Sequence, residues 1–445
     1  MPGAGELYLG LVPVMAQLLL GGPPPLPKPE VRRDPSLPTG ASMAPATRPD
    51  PGGLPACSLR LPVCVWRVGP VDAQAALTTL ELLEDAYERL VLTLDLPAPR
   101  KSESGGGLDL YLDSDAGPNL VTGLDESVPL GFDAARLFCR VAPQDRWALQ
   151  RATTLCVGEA IAAGLDAATT PEVRRAYATH LWWAVGRPNA QDLALIDEAQ
   201  SHPEQPPIGR DLNAASEGSG ALLFEYLDSH RGRGRPGWFS TALLAAGANR
   251  TRGETTRWRN EPDVFDVLRH TLDNKTGNLA RLLGDFAVAR AFLGARDDGT
   301  HWPLLSWPGQ AGSVRFDWYL KSSSLPRRVA AVEPIEPNGA TYVWLELDDV
   351  ELGTTLGFQA QWEPPVAFQW TVVRIAKGGR ELSRLVVPFQ EQSTEVTQTI
   401  TNLETSAALL IVGTQLGGVD PLHPFDPDVA PFEPHSCTVY VTKLR

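Results

Sequence analysis

Seven histidines are where metal or acid–base chemistry would start: His180, His202, His230, His270, His301, His423 and His435. No two of them stand three, four or five residues apart, so no helix turn sets two imidazoles on one face for zinc. The five cysteines, Cys57, Cys64, Cys139, Cys156 and Cys437, contain no C-x-x-C pair, and no zinc-ribbon spacing follows from them. Gly218-Ser219-Gly220 lacks the spacing of a serine nucleophile elbow. Gly105-Gly106-Gly107 lacks the Lys-Ser or Lys-Thr that completes a phosphate loop. Among the remaining polar groups, His180 sits beside Leu181, Trp182 and Trp183. It is a candidate ligand contact, and the plainer reading is a core histidine bonded to backbone. The two tryptophans are core more readily than a sugar-stacking platform. Glu217 in ASEGSGALLFEYLDSHRG is either a site carboxylate or one that caps its helix or pairs with Arg210. Asp420, Asp426 and Asp428 flank His423; they are oxygen donors for calcium, or solvated acids on a proline-stiffened connector. Arg231-Gly232-Arg233-Gly234-Arg235 is an anion-binding loop or a solvated turn.

The chain that must position these groups has 445 residues, 43% hydrophobic and 21% charged, enough to bury cores in two to four domains. Lys and Arg number 39 against 53 Asp and Glu, a net charge of −14. That balance disfavours a nucleic-acid partner, which needs a basic face for phosphates, and disfavours docking on anionic lipid. No repeat of fixed period is visible. Only six of the basic residues are Lys, which reads as a GC-rich bacterial genome.

Residues 7–22, LYLGLVPVMAQLLLGG, are apolar but short for a membrane span. They fit the core of a secretory signal, although no Lys or Arg precedes them. Residues 1–22 are therefore the expected signal segment, with a packed or disordered apolar tail as the alternative. Residues 23–56 are proline-rich and read as a disordered linker.

A strand is expected at 61–68, a helix over 72–95, and strands at 108–113 and 135–141. Helices follow at 144–164, 170–186, 190–200, 214–231, 237–247, 262–273 and 276–293. The second of these has Thr170 as N-cap, Pro171 at N1 and Gly186 past its end. After Trp302 the hydrophobic period switches to two. Seven strand-like segments between 341 and 443, separated by Pro, Gly and Asn, predict an antiparallel β-sandwich of immunoglobulin or jelly-roll type. The expected fold class is α+β: a mainly helical domain over 57–300, a linker over 301–324 and the sandwich over 325–445. Cys139 and Cys156 are the favoured disulfide pair, joining a strand to a helix, with buried free thiols as the equal alternative.

The order helix, LDLYLD strand, strand ending near Cys139, central helix and second helix resembles the gluzincin zinc metalloproteases. It is most similar to the putative metalloproteases of myxobacteria, where a peptidase domain precedes a β-sandwich. The resemblance implies a central helix with H-E-x-x-H, two zinc ligands around a general base, and a third ligand from a Glu on the next helix. In this sequence the matching stretch is Gly158-Glu159-Ala160-Ile161-Ala162. Gly158 and Ala162 stand where the two His ligands belong, and neither coordinates a metal. Glu159 alone matches, as a vestigial base. The next helix holds a single Glu, Glu172, in its first turn, so the third ligand is missing too. LCVGEAIAAGLD is equally a small-residue core helix with no such ancestry.

The resulting expectation is a non-catalytic, extracytoplasmic bacterial protein on a degenerate peptidase scaffold. It has no metal and no cofactor, and it binds a peptide or protein, or serves a structural role. His180, Trp182, Trp183 and Glu217 are candidates for the groove. The competing expectation is a hydrolase with an unrecognised site around Glu159.

Overall fold

The computed structural model describes residues 25–26, 42–43, 46–101, 107–125, 133–186, 189–209, 211–248, 258–259, 262–272, 276–390, 392–417 and 434–444. The apolar run 7–22, Arg210 and the acidic segment around His423 lie outside the described residues. Helices α1 to α8 run Ala73–Tyr87, Arg146–Leu165, Pro171–Val185, Ala190–Ser201, Ala214–His230, Trp238–Gly247, Val264–Thr271 and Thr276–Arg290. The chain forms two compact units, Met1–Arg187 with Leu227–Val267, and Pro188–Tyr226 with Leu268–Arg445. Both divisions cut a helix, α5 and α7. The expected boundary near residue 300 is thus replaced by a discontinuous one, because α4, most of α5 and α8 cluster with the C-terminal strands.

In the first unit, β1 (Ser42–Met43) pairs with a short strand at Trp258–Arg259, β7. Strands β2 (Ala56–Cys57), β3 (Val63–Val68), β4 (Leu108–Asp113), β5 (Val121–Asp125) and β6 (Arg136–Val141) form one mixed sheet. Its order is β2-β3-β4-β6-β5. Strands β3, β4 and β6 run parallel, and β5 closes the edge antiparallel to β6. Parallel neighbours need a crossover, and α1 supplies it between β3 and β4. The face of α1 that packs is Ala76, Thr79, Leu83, Ala86 and Leu90, while Leu77 is exposed. The regular helix stops at Tyr87, and Glu88–Thr93 continues as a π-helical turn rather than the single helix expected to residue 95.

Helix α2 starts at Asp145, whose carboxylate accepts from the Trp147 and Ala148 amides. It is buried from Arg151 to Ala163, so its small residues serve as packing surface on every side. Helix α3 starts as its sequence predicts, with Thr170 accepting from the Val173 amide and Pro171 in the first turn.

The second unit holds two sheets. One has the order β13-β12-β15-β10-β8 and the other β14-β11-β16-β9. Their strands are β8 (Trp318–Lys321), β9 (Arg327–Ala330), β10 (Ala340–Glu346), β11 (Leu356–Trp362), β12 (Phe368–Ile375), β13 (Glu381–Val386), β14 (Glu395–Ile400), β15 (Ala408–Gln415) and β16 (Cys437–Lys443). Alternate residues of both sheets, among them Leu356, Phe358, Trp370, Ile411, Val439 and Val441, meet in a single core. The other face of the five-stranded sheet is covered by Ala287, Val288 and Ala291 at the end of α8, packed on Tyr342, Val373 and Leu410. The molecule is α+β, and its C-terminal part is a β-sandwich. Among the described residues no helix is long and apolar enough to cross a membrane.

Candidate functional site

The candidate catalytic residue, Glu159, lies in the middle of α2 and is 1% exposed. Two side chains grip its carboxylate. Thr122 on β5 donates its hydroxyl to Oε2 at 2.6 Å. Arg175 on α3 donates Nε to Oε1 at 2.5 Å, and its Nη2 donates to the Leu120 carbonyl at 2.8 Å. Both oxygens are thus engaged by fixed partners in a dry interface. A general base needs an oxygen within reach of a water or substrate proton. Here that valence is spent on a buried ion pair, and breaking it leaves an uncompensated charge.

The flanking positions close the same interface. A Cβ on Gly158 would stand 2.8 Å from Ala178 Cβ and 2.9 Å from Ala178 Cα. Glycine is required there because α3 presses its backbone onto α2. Ala162 is fully buried. The two positions of the lost ligands are therefore packing positions, and a histidine at 158 has no room. Among the described residues no group of three His, Cys, Asp or Glu is arranged to hold a metal ion.

His180, the second candidate, is buried on α3 and bonds Asp228 through Nε2 at 2.6 Å. Asp228 is the organising acid of this region. It also accepts from the amides of Gly237, Phe239 and Ser240 and from the Ser240 hydroxyl. Those are orphan donors at the start of α6, where a carboxylate both caps and neutralises the helix end. Gly237 opens that helix at φ +74°, and a Cβ there would meet Leu96 and Leu181. His180 is therefore a strut between α3 and the α5–α6 turn.

Trp182 and Trp183 are 2% and 4% exposed, and Trp182 packs edge-on against Trp147 at 6.0 Å. They fill the core and do not line an open groove. Glu217 is buried in the part of α5 that belongs to the second unit, apart from the Glu159 constellation. The turn at Arg231–Arg235 reverses the chain with Arg233 and Gly234 at positive φ, and Arg235 stacks on Trp238.

Cys139 and Cys156 are bonded and tie β6 to α2. A second disulfide, Cys57–Cys64, joins β2 to β3, and Cys437 is a buried free thiol. Burial pushes the Cys437 thiol up. Two disulfides are compatible with an extracytoplasmic protein.

The sequence reading missed an ionic cluster on the sheet face away from α2. Strand alternation puts Thr122 and Cys139 toward α2, and Gly123, Asp125, Arg136 and Phe138 on the other side. Arg136 bridges Asp109 and Asp125 at 3.1 and 3.2 Å. Arg48, from the proline-rich segment expected to be disordered, enters the same cluster. It meets Asp125 at 2.7 Å and Asp109 at 2.5 Å, with the Tyr111 hydroxyl at 3.2 Å. Trp66 donates its indole N–H to Asp109 at 2.9 Å. The segment is ordered from Ala46 onward because these buried acids need its charge. The alternation of LDLYLD holds the only forewarning, since it sets Asp109, Tyr111 and Asp113 on one face.

No family model and no curated protein matches the chain. Three solved structures align with parts of it. The pre-peptidase C-terminal domain of collagenase from Bacillus anthracis is 5% identical, with TM-score 0.19, over 29% of this chain and 100% of that one. The Yersinia pseudotuberculosis-derived mitogen is 12% identical, with TM-score 0.18, over 26% and 86%. A structure described as "CBM4 structure and function" is 17% identical, with TM-score 0.15, over 27% and 81%. Scores of this size carry no functional argument.

Proposed function

We propose that this is an exported, non-catalytic binding or structural protein whose first unit is a degenerate gluzincin-like scaffold. One observation carries the reading: the Glu159 carboxylate is saturated by Arg175 and Thr122 inside the α2–α3 interface. Gly158 and Ala162, where ligands would stand, carry no coordinating atom and are consumed by packing. Without a metal to acidify it, water keeps a pKa near ~15.7, and a carboxylate already paired with a guanidinium does not remove its proton. The scaffold would instead present folded surfaces to a peptide or protein partner, with the sandwich of immunoglobulin or jelly-roll type as a second such surface. The two disulfides and the apolar segment 7–22 support export.

The test is peptide hydrolysis by the full chain, read by mass spectrometry on a mixed peptide library, with Glu159→Gln beside the wild type. The reading predicts no cleavage above buffer by either protein. Cleavage by the wild type that disappears in Glu159→Gln would overturn it.

A further inference from the structure

We infer that the Asp109–Asp125 face of the first unit's sheet is a guanidinium-binding site, occupied in cis by Arg48, that takes an arginine side chain from an extended segment of a partner protein when the N-terminal strap lifts. The site lies on the sheet face opposite Glu159, so it stands or falls independently of any chemistry there.

The pocket has the parts that select a guanidinium. Arg48 Nε and Nη2 both donate to Asp125 Oδ2, at 3.0 and 2.7 Å. Nη1 donates to Asp109 Oδ2 and to the Tyr111 hydroxyl, at 2.5 and 3.2 Å. The Phe138 ring lies below, 5.5 Å from the guanidinium carbon. A planar fork that donates along two edges while stacking on a ring is an arginine property that an ammonium does not reproduce. Charge also requires an occupant. Asp109 and Asp125 share one internal cation, Arg136, so the pair retains a negative charge until a second cation arrives.

The resident cation is loosely carried. Of the strap 46–52, Ala46, Thr47, Asp50 and Gly52 are exposed, and Arg48 is the side chain that reaches into the sheet face. Among the described residues, two backbone hydrogen bonds fix that stretch to the sheet, Ala46 N to Leu124 O and Gly52 N to Arg67 O. Pro49 and Pro51 have no N–H to add more. A segment with few contacts and exposed backbone opens at far lower cost than the core. The Cys57–Cys64 disulfide keeps it tethered when it does. Gly123 completes the fit: a Cβ there would meet the Phe138 ring at 2.4 Å and Ala46 Cβ at 2.9 Å, so bare backbone lets an extended chain lie close.

The test uses full-length Arg48→Ala and a fluorescein-labelled peptide with the sequence of residues 45–53, PATRPDPGG, followed by anisotropy. The peptide is expected to bind Arg48→Ala at least about tenfold more tightly than wild type, where the strap competes. Replacing the peptide's Arg by Lys, or adding Asp125→Asn to the protein, is expected to abolish binding. Millimolar methylguanidinium, and not methylammonium, is expected to restore the thermal midpoint that Arg48→Ala loses. Folded Arg48→Ala that neither binds the peptide nor responds to methylguanidinium overturns the inference. If Arg48→Ala does not fold, hydrogen exchange on the wild type decides. Amides of 46–52 exchanging well before those of β5 and β6 support a displaceable strap, and equal protection overturns it.

Discussion

Ala178 Cα stands 2.9 Å from the place a Cβ on Gly158 would occupy, so α2 and α3 touch backbone to backbone at the position where the resemblance puts a zinc ligand. Gly158→Ala is therefore expected to destabilise the fold by about 1–3 kcal/mol through overpacking. Adding Ala178→Gly should recover a large part of that loss. Chemical denaturation of the two single variants and the double variant measures the coupling, and simple additivity would contradict the contact.

Arg175 and Glu159 form a buried pair whose members are costly to separate. Arg175→Met should cost about 3–5 kcal/mol, because it strands the carboxylate. Replacing both, as Glu159→Leu with Arg175→Met, should be far milder than Arg175→Met alone, as expected where hydrophobic residues replace a buried ion pair. Urea midpoints compare the two. A double variant as damaged as the single would mean that the pair contributes more than mutual neutralisation.

Asp166 ends α2 in full burial, and desolvation, with the charge of Asp133 adding to it, pushes its carboxyl up to about 7 from 3.8. Between these values the native state holds a proton that the unfolded chain has released. Stability therefore falls as pH rises from about 4 to about 7, at up to ~1.4 kcal/mol per pH unit from this group. Above that window the cost is fully present. Asp166→Asn should remove this component and be more stable than wild type at pH 8. Unfolding curves across pH 4–8 check the slope, and an unchanged slope would contradict the assignment.

Cys437 is the free thiol of the described structure, and burial raises it out of the reactive range. Native protein should show no thiol titre, and denatured, unreduced protein should show one thiol per chain. Peptide mapping should recover Cys57 with Cys64 and Cys139 with Cys156. Any other pairing would contradict the sheet register and the β6–α2 tie.

Local signals in the sequence reached as far as local chemistry does. Thr170, Pro171 and Gly186 bound α3 because capping acts within one turn. The period of two after Trp302 announces the sandwich because alternation follows from the pleat. Strand β5 escaped, since VTGLD is short and Gly123 weakens its strand propensity. Arg175 and Thr122 gave no sign of their bond to Glu159, because they approach it from a different helix and from the sheet edge. Arg48 was hidden by its neighbours: proline content predicts poor burial of the segment as a whole, yet one buried ion pair is enough to hold it. The division of the chain inside α5 and α7 was illegible because a helix carries no local mark of which core its two ends join.

The central claim is that the first unit retains a peptidase-like layout without the chemistry. Elemental mass spectrometry on full-length protein, purified without a histidine tag or chelator, tests it most directly. The account predicts no stoichiometric zinc, and stability unchanged by chelator. One zinc per chain, with peptide cleavage that chelator removes, would contradict it.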